Sequence, residues 1–452
     1  MTTKKLAIIG AGPGGYECAV RAAHAGLEVH IFDRIDHLGG TCLCEGCIPT
    51  KCFCHSAKIF HQIQEAKIYG IQTDLSNFSF AEVLARKSKI VQQMQLGVQT
   101  LLKTPGISFH DAFVRFALHD AHTLIYGDKS LKADFVFIAT GALPKSLSIP
   151  GAHMPGILTS TEILQLPEIP TRLCIIGGGV IGLEFASIFN LFGSKVTVIE
   201  YCKEILPNFD KDVSKRLRTL LKRAGINFVL GAPVTAIHTC EETGELHISY
   251  EHRNAIHDLA VDKILMAIGR QPNLESLNLT EADIAFTRKG VTVDENMQTN
   301  QLGVYAVGDI NGLCQLAHAA TFQSFKALSH LLEKPSFFER EVIPSAIYTY
   351  PEAATVGYSE EKALLTEPDA VVHKAYYRAN GRALTMGAES DGLIKIITDH
   401  HGHILGGHIL GDQASELIHE ISLVMSMKGT LSDLSHSIHA HPTLSELFSK
   451  LN

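Results

Sequence analysis

The sequence predicts an α/β protein built from two Rossmann-like units with a smaller α+β unit at the C-terminus. Three observations predict it: a strand–glycine turn–helix–strand unit that occurs twice, a chain of 452 residues, and a change of pattern in the last quarter. At about 150 residues per domain that length holds roughly three domains. The composition, 46% hydrophobic and 19% charged, is that of a folded chain with a large core.

The first copy opens with an apolar strand, Lys5 to Ile9, which runs into Gly10-Ala-Gly12-Pro-Gly14-Gly15. A helical stretch follows from Tyr16 to Ala25, and a second strand from Glu28 to Phe32 ends in Asp33. The second copy has a strand at Leu173 to Ile176, the turn Gly177-Gly-Gly179-Val-Ile-Gly182, a helix at Leu183 to Phe192, and a strand at Lys195 to Ile199 ending in Glu200. First glycine and terminal acid are 23 residues apart in both copies. Glycine turns of this spacing let a pyrophosphate approach the backbone and aim helix N–H groups at it, and an acid about 20 residues on accepts hydrogen bonds from a ribose. Two such units predict two dinucleotide sites. Glu200 favours NAD over NADP, since its charge would repel a 2′-phosphate.

Each unit closes on an apolar strand ending in Ala-x-Gly, at Phe135 to Gly141 and Ile264 to Gly269. Pro and Gly clusters follow at 144–156 and 270–273 and mark domain crossings. Residues 53–103 read as two amphipathic helices. Beyond Phe338 strands and helices mix in an antiparallel manner, with strands at Gly392 to Thr398 and Ile404 to Leu410.

A net charge of −8 without a dense basic run argues against nucleic acid as a partner. No apolar run approaches the ~20 residues that cross a bilayer, and the opening strand stops too soon for a signal peptide, so a soluble, cytoplasmic protein is expected. Ten cysteines are few for a secreted disulfide framework.

Five of those cysteines fall in Gly40-Thr41-Cys42-Leu-Cys44-Glu-Gly-Cys47-Ile-Pro-Thr-Lys51-Cys52-Phe-Cys54. Cys42 and Cys47 enclose a loop short enough to close into a disulfide beside the first nucleotide unit, and Lys51 would stabilise a thiolate there. The same cluster could instead supply thiolate ligands to a metal, or be buried and inert. At the C-terminus, His439-Ala-His441-Pro-Thr-Leu-Ser-Glu446 offers a histidine that a carboxylate could orient for proton transfer. Taken alone, a His and a Glu five residues apart are more often surface or capping residues.

Together these residues resemble the flavin-dependent pyridine nucleotide–disulfide oxidoreductases, and within them the dihydrolipoamide dehydrogenase branch. The resemblance rests on GAGPGG at 10–15, GGTC and GCIPTK within 39–51, ATG at 139–141, GGGVIGLE at 177–184 and AIGRQPN at 267–273. AVGD at 306–309, LAHAA at 316–320, YTYPEAATVG at 348–357 and HAHPTLSE at 439–446 continue it in the same order.

The resemblance implies a redox-active disulfide flavoprotein with FAD on Gly10, Gly12, Gly14, Gly15, Asp33, Gly40, Thr41, Lys51, Thr140, Gly141, Asp309, Ala317 and His318. It implies NAD on Gly177, Gly179, Gly182, Glu200 and Gly269. Cys42 would be the thiol that meets substrate and Cys47 the one against the flavin. Lys51 would pair with Glu184, and His441 with Glu446 would be the base for the incoming dithiol, reaching the disulfide of a second subunit in a homodimer. The implied domains are FAD-binding at 1–142, NAD-binding at 143–269, a return to the first unit at 270–337, and a dimerisation domain at 338–452. No resident metal is implied. The implied reaction is oxidation of dihydrolipoamide, free or on the lipoyl domain of a 2-oxo acid dehydrogenase complex, by NAD⁺. The alternative is an NAD(P)H-dependent reductase of another disulfide or of a metal ion.

The finer marks favour the lipoamide branch. No cysteine pair follows Cys314, as mercuric reductases would have, and Glu200-Tyr201 stands where NADP-dependent glutathione reductases carry basic residues. Cys44, where the branch commonly has Asn, and Cys52 and Cys54 depart from the pattern. They are expected to be small core residues or auxiliary thiols.

Overall fold

The computed structural model describes residues 3–241, 243–275, 277–336, 342–387 and 391–451. The expected crossing at Phe338 lies outside them. The first apolar strand, Lys5–Ile9, sits in a parallel five-stranded sheet whose order is Val304–Ala306, Phe135–Ile138, Lys5–Ile9, Glu28–Asp33, Ile107–Asp111. The second, Arg172–Ile176, sits in another, ordered Asn227–Leu230, Lys195–Glu200, Arg172–Ile176, Lys263–Met266, Ile157–Leu158. Lys5 pairs with Glu28 and Arg172 with Lys195, so the sequence repeat is a repeat of register. The near-continuous apolar strands suit sheets covered on both faces.

The strands that close each unit are shorter than expected, ending at Ile138 and Met266. Gly141 and Gly269 then take φ of +72° and +105°, which extended strand cannot accommodate. Their continuations pair with each other, Ala142–Pro144 against Arg270–Pro272, so both chain crossings run through one small antiparallel ribbon. Before its closing strand each unit carries a three-stranded antiparallel sheet, Arg115–Lys132 in the first and Val234–Val261 in the second.

Residues 53–103 contain the end of one helix, Cys47–Gln64, and a second, Phe80–Leu101, capped by Ser79. The C-terminal sheet is antiparallel in the order Ser345–Ile347, Ala353–Gly357, Ile404–Leu410, Leu393–Thr398, Val371–Tyr376, with helix Ala414–Ser426 packed on it.

One core fixes the functional geometry. Phe53, Ala57 and Phe80 of the first unit pack with Phe185 and Phe189 of the second and Ile347 and Leu410 of the third. Truncating such a buried Phe to Ala costs about 3–5 kcal/mol. This core presses helix Cys47–Gln64 against helix Val180–Leu191, which brings Lys51 to Glu184. A second tie is Lys395, whose Nζ lies 2.9 Å from both oxygens of Asp210 with both side chains only 2% exposed. Removing one partner of such a pair costs about 3–5 kcal/mol.

Candidate active site

The dithiol turn is built against the first glycine turn. Gly40 has φ +62°, and a Cβ there would come within 2.8 Å of the Gly12 Cα, so the two backbones touch. Cys42 lies in the short helix Gly40–Cys44, and Cys47 opens helix Cys47–Gln64, whose cap, Gly46, provides no side-chain acceptor. Both cysteines stand as free thiols.

Cys42 and Cys47 are near neighbours, and each is the leading influence on the other's acidity. That contact, then burial and the neighbouring Cys47 charge, hold the Cys42 pKa far above the ordinary thiol value. The same contact, helped by the Lys51 cation against the cost of burial, lowers Cys47 to about 7. Cys47, beside the Lys51 cation, is the more acidic member of the pair.

Lys51 lies one turn along that helix. Its Nζ is 3.0 Å from both Glu184 oxygens and 4.5 Å from the centre of the Tyr348 ring. Glu184 is 4% exposed and also accepts from the Tyr348 backbone N–H at 3.0 Å. Burial works against the Lys51 charge, but Glu184 together with Cys54 and Cys47 outweighs it and the lysine pKa is raised. Lys51, Cys54, Ser187, Tyr348 and Tyr350 border a cavity of about 270 Å³ where the three units meet.

The extra thiols point three ways. Cys44 donates to the Leu38 carbonyl and receives Gln95, Cys52 is buried beside Arg86 and Lys87, and Cys54 is half-buried near Lys51 and Glu184. Among the described residues the clustered cysteines form no three-ligand group.

The glycine turns are near copies. Gly10 and Gly177 have φ of +107° and +109°, and a Cβ would lie 2.3 and 2.4 Å from the carbonyl oxygens of Ala139 and Ala267. Gly15 and Gly182 face the carbonyls of Gly10 and Gly177 with no room for a side chain. The terminal acids grip the turns. Ala11 N–H donates to Asp33 Oδ2 at 2.6 Å, and Gly178 N–H to Glu200 Oε2 at 2.5 Å. Helices Pro13–His24 and Val180–Leu191 begin at Gly12 and Gly179 without a side-chain cap, leaving their first N–H groups open to an anion. Gly14 packs against Ala320 of helix Ala317–Leu331.

Several of the remaining predicted residues are held by hydrogen bonds. Thr41 Oγ1 donates to Glu45 at 3.4 Å, Thr140 Oγ1 to the Asn273 carbonyl at 3.2 Å, and His318 Nε2 meets the Pro344 carbonyl at 2.8 Å. Asn273 N–H donates to Gly141 O, and Lys145 N–H to Gly269 O. Burial raises the Asp309 pKa, with Arg270 only partly offsetting it. Arg270 was not anticipated as a site residue. Burial lowers its pKa against the pull of Asp309, Glu45 and Cys47, and its guanidinium donates to the Ala142 carbonyl. The signal available was its place directly after Gly269, in AIGRQPN.

His441 Nδ1 lies 2.8 Å from Glu446 Oε1, and the Thr443 N–H holds the other carboxylate oxygen at 2.8 Å. The carboxylate is thereby fixed, with its pKa lowered by His441 first and then Thr443. The His441 side chain is 83% exposed, and it is not among the groups that set the Cys42 thiol. The chain does not itself join the two halves of the expected acid–base and thiol machinery. A neighbouring pair also went unread: His439 Nε2 meets Glu420 Oε2 at 2.9 Å.

Residues 4–324 match the family model described as pyridine nucleotide-disulphide oxidoreductase, and 343–452 its dimerisation domain. The chain is 36% identical over 460 residues to a dihydrolipoyl dehydrogenase of Bacillus subtilis (strain 168), covering 98% of this chain and 96% of that one. It is 37% identical to the dihydrolipoyl dehydrogenase of Chlamydia muridarum (strain MoPn / Nigg), covering 98% and 95%. Among solved structures, the HOCl-induced flavoprotein disulfide reductase RclA from Escherichia coli superposes with a TM-score of 0.88 at 31% identity, covering 99% of each chain. Its Cu(II) complex gives 0.87 at the same identity and coverage.

Proposed function

The chain belongs to the pyridine nucleotide–disulphide oxidoreductases, and on that premise we propose that it is a homodimeric dihydrolipoamide dehydrogenase. It is an oxidoreductase whose family works with FAD and a pyridine nucleotide. The observation that carries the finer reading is the near-full-length match to dihydrolipoyl dehydrogenases, in a chain that sets Cys42 and Cys47 beside the Lys51–Glu184 pair.

The residues fit the cofactors. A glycine floor closed to any Cβ, uncapped helix starts and the half-buried Asp309 suit FAD on the first turn, and the second turn with Glu200 suits NAD. Gly10, Gly12, Gly15, Asp33 and Asp309 would hold the one, and Gly177, Gly179, Gly182 and Glu200 the other. When bound, FAD takes an electron pair from a thiolate and NAD⁺ carries it off as hydride.

The protein's own steps run as follows. His441, oriented by Glu446, takes the proton of one substrate thiol, and the resulting thiolate attacks the Cys42 sulfur of the oxidised pair. The Cys42–Cys47 bond breaks, and Cys47 leaves as a thiolate stabilised by Lys51 and its helix N-terminus. The second substrate thiol attacks the mixed disulfide, releasing the cyclic disulfide product, and Cys42 regains a proton. The exposure of His441 and the dimerisation domain support its acting on the Cys42 of the other subunit. Lipoyl domains of a 2-oxo acid dehydrogenase complex are the proposed macromolecular carriers of the substrate, in the cytoplasm. Among the described residues no helix is long and apolar enough to cross a membrane.

The likeness to a disulfide reductase and the three additional thiols favour a second reading, NAD(P)H-dependent reduction of another disulfide. A panel of dihydrolipoamide with NAD⁺ against disulfides with NADH and NADPH separates them. Dihydrolipoamide oxidation that is fastest with NAD⁺ and lost in Cys42→Ser and Cys47→Ser is the expected result. Reduction of another disulfide with no dihydrolipoamide turnover would replace it.

A further inference from the structure

We propose that His238, His247 and Asp258 form a binding site for a borderline divalent transition-metal ion of the Zn²⁺, Ni²⁺ or Cu²⁺ class on the outer face of the second unit's antiparallel sheet. The strands are Val234–Thr239, Leu246–His252 and Ala255–Val261. Their register sets His238 directly opposite His247 and Asp258 opposite Ser249, two residues along from His247. With side chains alternating along a strand, all three ligands share one face. The alternate positions Ile237, Ile248 and Val261 are buried in the core, so the register cannot slip without exposing them.

The donor atoms already converge. One ring nitrogen of each histidine and a carboxylate oxygen all lie within 4.8 Å of one another. Asp258 Oδ2 is 2.5 Å from His247 Nδ1 and 3.7 Å from His238 Nε2, and the two rings stack with centres 5.5 Å apart. Ser249 Oγ donates to Asp258 Oδ1 at 2.9 Å, which orients the carboxylate from behind, as an outer-sphere partner does in metal sites.

An ion that holds N and O donors at about 2.0–2.2 Å needs them somewhat closer together than this. The side chain to move is His238, 48% exposed and beyond hydrogen-bond distance of the carboxylate. Two imidazoles and one carboxylate select a borderline ion over Ca²⁺ or Mg²⁺, which take oxygen shells. Exposure of His247 and Asp258 at 20% and 41% leaves the remaining coordination positions to water. The site uses no thiol and is independent of the proposed reaction.

The test is calorimetric titration of Ni²⁺ into the oxidised FAD-loaded protein and into its His238→Ala, His247→Ala and Asp258→Asn variants. The proposal expects His238→Ala and His247→Ala each to bind one Ni²⁺ fewer per chain, and Asp258→Asn to bind that ion at least tenfold more weakly. His238→Ala removes an exposed ring and retains the fold, so it decides the matter if His247→Ala does not fold. Unchanged stoichiometry and affinity in His238→Ala would overturn the site.

Discussion

Cys42 and Cys47 shift each other's acidity in opposite directions, while burial raises both and the Lys51 cation lowers both. Cys47, lowered to about 7, is charged in the range from 7 to 9 where an ordinary thiol is protonated. The sign for stability follows. Its contribution is fully present above the ordinary thiol value and is lost as the pH falls through about 7. In the reduced protein the thiolate absorbance of wild type minus Cys47→Ser should titrate with a midpoint near 7. A midpoint near 9 would contradict the assignment.

Lys51→Met should raise the acidity midpoint of Cys47, because it removes the cation that favours the thiolate. Among the described residues it also leaves buried Glu184 with only the Tyr348 N–H as a donor. With Lys51 one-third exposed, the loss in urea denaturation should be about 1–3 kcal/mol. Unchanged stability together with an unchanged thiolate titration would show that the pair is incidental.

His441→Gln and Glu446→Gln should slow dithiol oxidation, the first by about 10²–10⁴-fold. Transfer of electrons from NADH to an artificial acceptor, which needs no thiol proton, should stay near wild type. Equal losses in both assays would mean that these residues serve the fold rather than proton transfer.

Much of this site was legible because it rests on local chain geometry. The 23-residue spacing of Gly10 and Asp33 became a register of Lys5 on Glu28, and the second copy repeated it. Cys47 and Cys54, seven apart on one helix, both lie near the Lys51 charge, while Cys52 turns towards Arg86, as helical periodicity requires. What escaped depends on residues far apart in sequence. Arg270 comes within electrostatic reach of Asp309 and Cys47 because strand Arg270–Pro272 pairs back on Ala142–Pro144. The antiparallel sheets before each closing strand were also unread, although Ile237 and Ile248 alternate with polar neighbours as half-buried strands do. His238 and His247 meet only through that pairing.

Glu200 holds the Gly178 and Cys202 N–H groups at 2.5 and 2.6 Å. Glu200→Ala should therefore raise the KM for NAD⁺ by about tenfold, from the loss of roughly one charge-assisted hydrogen bond, and narrow the preference over NADP⁺. Retained KM and preference would remove Glu200 from nucleotide recognition.

Anaerobic addition of dihydrolipoamide to the FAD-loaded protein, followed by visible absorption, tests the thiol relay most directly. The account predicts that about one equivalent produces a long-wavelength thiolate–flavin band in the wild type and none in Cys47→Ser. A flavin that NADH bleaches but dihydrolipoamide leaves untouched would contradict it.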